Sequence, residues 1–168
     1  MNQPSRPFKP NQAAPQSSTS TSTEDEDIVT LMTKKISQFK NGLKEYKTRE
    51  LVEDTEKLGR KLAQEQDPKL KTTQIRKFLD AINRLKVKTS GLTDLPEDVK
   101  SELHLLRPKL AYAAARQATD RNPGPVEPLK KVLEAALKKD MDMEDFFRLV
   151  QLIEAIIAYH KAAGGKDQ

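Results

Sequence analysis

The chain has 168 residues, 33% of them charged and 5% aromatic, with no Trp, no Cys and a formal net charge of +5. That length fits one domain with a modest aliphatic core, and the lack of Cys excludes disulfides, Cys-ligated zinc and thiol catalysis and fits a reducing cytoplasm. No apolar run approaches the roughly 18 residues that cross a bilayer, and the polar N-terminus carries no secretion-signal core, so a cytoplasmic chain without membrane contact is expected.

Met1 to Thr23 is rich in Pro, Gln, Ser, Thr and Asn, so it cannot bury enough surface to offset the entropy of ordering. With the acidic run Glu24 to Asp27 it is expected to form a disordered arm over residues 1–27. A helical bundle domain is expected over 28–168. The acidic run complements the positive end of the helix that follows. The arm holds two basic side chains, Arg6 and Lys9, against four acidic ones, so it carries −2 and leaves +7 for the remainder. A folded part more basic than the whole chain points toward a phosphate-bearing partner or an acidic protein surface.

Beyond the arm the spacing is helical throughout. Ile28, Leu31, Met32, Ile36 and Phe39 trace an amphipathic helix that Asn41-Gly42 should end. Leu51, Thr55, Leu58 and Leu62 mark a second helix, from about Thr48 to Glu65, stopped by Asp67-Pro68. A third starts near Thr72 or Thr73 as N-cap, with Ile75, Phe78, Leu79, Ile82 and Leu85 inward. Asp94-Leu95-Pro96-Glu97 opens a fourth. Pro108 is expected to break or sharply kink it, because the proline ring removes a backbone donor and clashes with the preceding turn. A short helix would then begin at Pro108. Asn122-Pro123-Gly124-Pro125 is a loop, and Val126 to Lys139 forms a further helix. The last is capped by Asp142 and runs to Lys161, ending at Gly164-Gly165. The fold class is all-α, a compact bundle of about five to six helices.

The last helix is apolar around most of its circumference, from Phe146 and Phe147 to Ile157 and Tyr159. Such a helix is central in its bundle or also packed on another subunit; central placement is expected. Glu154 interrupts its apolar face and should pair with a Lys or Arg of the bundle. Little here supports catalysis. His104 and His160 are far apart and neither has a second ligand at metal spacing. No glycine loop cradles a phosphate. The chain reads as a non-enzyme without cofactor or metal.

What recurs is basic side chains beside core stripes. Lys77, Arg84 and Lys88 stand on one face of the third helix, with Arg76 beside them. Lys71 precedes its N-terminus, whose unpaired backbone donors can hold an anion. Lys109, Tyr112 and Arg116 share one face of an alanine-rich helix, with Arg107 just before. Tyr112 is open to two roles, stacking on a base or packing in the core, and burial is expected. The basic residues suit contact with an RNA backbone, or else are solvated charges meeting an acidic protein surface. Whether the two basic surfaces merge depends on packing.

Three ordered blocks also carry a family resemblance. Lys71-Thr72-Thr73-Gln74-Ile75-Arg76-Lys77-Phe78 resembles the "K-T-x-Q-(I/L)-R-x-F" signature of the small subunit of type III-A CRISPR interference complexes, the Csm complex. Leu106 to Arg116 looks like that family's "L-x-P-K-L-A-Y-A-x-x-R" segment, with Ala115 where the pattern has glycine. Phe147 to Gly165, containing Glu154-Ala155-Ile156-Ile157-Ala158-Tyr159-His160-Lys161, resembles its C-terminal block. The resemblance implies a non-catalytic protein of antiviral defence. Several copies would pack along the guide RNA–target RNA groove of a ribonucleoprotein, beside its backbone and large subunits. Its RNA-binding residues would be Arg76 and Lys77 in the first block and Arg107, Lys109, Tyr112 and Arg116 in the second. Lys71 and Arg84 join them on charge and position. The alternative is a helical adaptor that meets acidic partner surfaces without RNA.

Overall fold

Among the described residues the helical spacings become six α-helices: α1 (Ile28–Gln38), α2 (Thr48–Gln64), α3 (Thr72–Lys88), α4 (Glu97–Ala115), α5 (Glu127–Leu137) and α6 (Met143–Ala162). The computed structural model describes residues 26–64 and 69–166, so the expected arm, up to residue 25, lies outside the described residues. Among those described there is no strand, only a lone antiparallel bridge between Thr119 and Asn122. Packing runs α2–α6–α3–α4–α5–α1 and back to α2, a closed ring of helices around one core.

Local chemistry sets the boundaries. The Asp142 carboxylate accepts the Asp145 N–H at 2.9 Å, and the Asp145 carboxylate accepts the Asp142 N–H at 3.2 Å. Two otherwise orphaned donors are thereby satisfied where α6 begins. At the start of α3 the cap residue is Lys71, one position before the threonines expected in that role. Gln74 Oε1 accepts its N–H at 2.8 Å, while Thr72 is fully buried beside the His160 ring.

Pro108 does not break α4, which runs on from Glu97 to Ala115 with the proline inside it. Pro108 and His104, whose carbonyl loses its donor, are both exposed. Water can therefore replace the missing bond, while Leu103, Leu106, Leu110 and Ala114 hold both halves against the core.

The apolar α6 is a member of the ring, not its centre as expected: it packs against α2 and α3 and buries Phe146, Leu149, Val150, Leu152, Ile153 and Ile156, while Phe147, Gln151 and Glu154 stay exposed. Leu152 and Ile153 are neighbours in sequence, so burying both requires covering more than one face. Gly59 of α2 allows this approach, since a Cβ there would lie 2.7 Å from the backbone nitrogen of His160. Glu154 is exposed and reaches Lys86 of α3 at 3.9 Å. The His160 ring is buried, with Nε2–H donating to the Leu70 carbonyl at 3.0 Å.

A polar cluster ties α1 to α2. Lys35 Nζ and the Tyr46 hydroxyl both donate to Asp54 Oδ2, at 2.5 and 2.7 Å, and Asp54 is buried. Burial, and then Asp54, push the Tyr46 hydroxyl far above its ordinary pKa. Burial also acts to lower the pKa of Lys35, but Asp54 and Glu50 outweigh it and leave it raised. The buried carboxylate is therefore compensated.

Candidate nucleic-acid interface

The start of α3 lies against the end of α4. Gln74 Nε2 donates to Gln117 Oε1 at 2.8 Å across the two elements, and Gln117 Nε2 returns to the Ala113 carbonyl at 3.3 Å. A third side comes from the loop after α4, where Asn122 Oδ1 accepts the Gly124 N–H at 2.8 Å. Gly124 has φ +83, and a Cβ there would sit 2.7 Å from the Gln117 carbonyl oxygen, so only glycine closes this turn without strain. The turn delivers Pro125 and Val126 to the same place.

These elements enclose a groove of about 600 Å³. Lys69, Lys71, Lys77 and Arg116 stand around it, Tyr112 lies on its wall, and buried Phe78 and Val126 supply an apolar floor. Lys69 and Lys71 reach the same side because the chain is extended at Lys71, and alternate residues of an extended chain share a side. Among the described residues, none of these four cations forms an ion pair. Four uncompensated positive charges around an apolar floor can hold a chain of phosphates and, beside it, a planar apolar group.

The groove joins three of the sequence-derived candidates, Lys71, Lys77 and Arg116, and brings Tyr112 with them. Tyr112 is 66% exposed, against the expected burial. It follows Leu110, which is fully buried, by two positions, or about 200° around the helix, so it faces away from the core. The Arg116 guanidinium lies 5.8 Å from its ring centroid. The other candidates do not line the groove. Arg76, Arg84 and Lys109 are exposed elsewhere on α3 and α4, and Arg107 is half-buried, its Nε shielded without a hydrogen-bond acceptor. Lys88, grouped by spacing with Lys77 and Arg84, pairs instead with Glu102 and with Asp98 at 3.8 Å. The hydrogen bond to Glu102 raises its pKa.

The N-terminus of α3 is also less open than its sequence implied. The Thr72 N–H donates to the Lys166 carbonyl at 2.8 Å and the Gln74 N–H to the Lys71 carbonyl at 2.9 Å. Charge at the groove therefore comes from side chains. Sequence reasoning missed Lys69 and the Gln74–Gln117 bridge. The two-residue interval between Lys69 and Lys71, ahead of a helix, was the available signal. Among the described residues, no group of three or more His, Asp and Glu is placed to hold a metal ion, and no helix is long and apolar enough to cross a membrane.

Residues 45–166 match the family described as Csm2 Type III-A, an interval that contains every groove residue. The chain is also similar to the "CRISPR system Cms protein Csm2" of Enterococcus italicus, at 34% identity over 94 residues. That match covers 55% of this chain and 66% of the relative, just under two thirds of its length. No solved structure matches.

Proposed function

This chain belongs to the Csm2 type III-A family, the small-subunit family that its motifs resemble, and on that premise we propose that it binds RNA without catalysing a reaction. In this reading it works in the cytoplasm as one of several copies, packed beside the backbone and large subunits of a type III-A ribonucleoprotein. The copies lie along guide RNA paired with target RNA, and each grips the target strand by its sugar–phosphate chain. One observation carries the reading: Lys69, Lys71, Lys77 and Arg116 converge on a single groove and no carboxylate among the described residues neutralises them. Such contacts are blind to sequence, which suits a protein whose specificity is supplied by base pairing. A few contacts per copy bind weakly alone and strongly in an array.

Filter binding of the full chain to single-stranded RNA across a salt series tests this. Each phosphate neutralised contributes roughly 0.7 to the slope of log affinity against log salt, so four cations give a slope near −3. A flat salt response, or no RNA bound even at low salt, would instead favour the adaptor that meets acidic protein surfaces.

A further inference from the structure

Resting on the RNA-binding reading, we propose that Tyr112 and Arg116 form a stacking seat for an unpaired base, so that this groove selects single-stranded or extruded nucleotides over continuous duplex. A tyrosine ring 66% exposed on an otherwise alanine-rich stretch of helix is placed where a planar partner can reach it. Ala111 and Ala115 flank it and are themselves exposed, so the surface around the ring is low. The Arg116 guanidinium stands by the ring at 5.8 Å, and such a cation–aromatic pair stacks favourably with a base. Lys71 and Lys77 line the same groove and supply the phosphate contacts that place a nucleotide beside the ring.

The side-chain amides of the groove are already engaged within the protein. Gln74 gives its amide to Gln117 and its carbonyl oxygen to the Lys71 N–H, and Gln117 returns its amide to Ala113. What remains on offer is a ring face and positive charge. That combination holds any base, but only one whose own face is free. Bases within an A-form duplex are stacked on one another and expose no face, so they cannot use the seat.

The test uses the full chain, a single-stranded RNA oligonucleotide carrying one 2-aminopurine, and an RNA duplex of the same length. Tyr112→Ala should weaken single-strand binding about 5- to 150-fold, the range found for alanine at a stacking aromatic. It should also abolish the aminopurine quenching seen with the wild-type chain, while the salt slope and the duplex affinity stay as they were. Tyr112→Phe should keep both affinity and quenching. Lys77→Ala should lower the salt slope and leave quenching of the bound RNA intact. The proposal is overturned if Tyr112→Ala binds single strands as the wild type does, or loses duplex binding equally. If the wild-type chain binds neither RNA, the RNA-binding reading itself falls, a result distinct from failure of the seat alone.

Discussion

The antiparallel pair α3–α4 treats its cations differently at its two ends. Where α3 ends and α4 begins, Lys88 sits between Glu102 and Asp98 and Lys86 reaches Glu154. Where α3 begins and α4 ends, Lys69, Lys71, Lys77 and Arg116 surround a groove and meet no carboxylate among the described residues. The difference lies in α4 itself. Its first turns carry Glu97, Asp98 and Glu102, and its second half carries Arg107 and Lys109, with Arg116 just beyond. The acidic side chains at the helix start also suit the helix dipole. Dipole alone would leave both ends solvated. Only the packing of α3 against α4 neutralises one end and leaves the other open, so a count of lysines along α3 does not reveal which of them are available.

The largest effect that could break this comparison comes from reversing charge in the open end. Lys77→Glu with Arg116→Glu should weaken single-stranded RNA binding on the order of 100-fold and lower the salt slope by roughly 1.4, as read by filter binding. The helical circular-dichroism signal should be unchanged, because both side chains are exposed. Unfolding of this variant would make the residues structural. A half-buried locked cation should behave in the opposite way. Asp54→Ala leaves the buried Tyr46 hydroxyl without its acceptor and Lys35 without its nearest carboxylate, which should cost about 2 to 3 kcal/mol in urea unfolding with RNA affinity unchanged.

Releasing a locked cation on the surface sharpens the contrast. Glu102→Ala with Asp98→Ala frees Lys88 and should raise the salt slope of RNA binding by up to about 0.7, if Lys88 then reaches a phosphate. Lys88→Ala alone should leave RNA affinity as it is. The smallest effect is in pH. The hydrogen bond from Lys44, and then the Asp145 N–H, hold the Asp142 carboxyl below its usual range. A carboxyl depressed in this way stabilises the fold above its unfolded pKa, and that contribution is lost as pH falls through the folded value. The melting temperature should therefore decline on acidification below about pH 3.9, the ordinary aspartate value.

Much of the fold was open to sequence reasoning because its causes are local. Asp142 caps the helix that follows it through a residue three positions on, and the three-four spacing of Ile75, Phe78, Ile82 and Leu85 is the buried stripe of α3. Failures occurred where a distant or solvent-side condition decides. Pro108 is tolerated on the exposed side of α4, where both it and His104 are open to solvent, and spacing carries no information about that. Tyr112 faces outward because Leu103, Leu106, Leu110 and Ala114 define the buried side of one continuous helix. A helix imagined to begin afresh at Pro108 hid that register. Lys88 and Lys77 fall on one stripe but meet different ends of α4. Lys71, Lys77 and Arg116 were identifiable one by one, whereas their meeting required the α3–α4 contact and the Gly124 turn.

Ultraviolet cross-linking of the full chain to single-stranded RNA, with the attached peptides identified by mass spectrometry, confronts the idea of one open cationic end most directly. Adducts should concentrate on residues 69–78 and 109–117. Adducts gathered on Lys131, Lys138 and Lys139 of the α5 side, with none on Tyr112 or its neighbours, would contradict it.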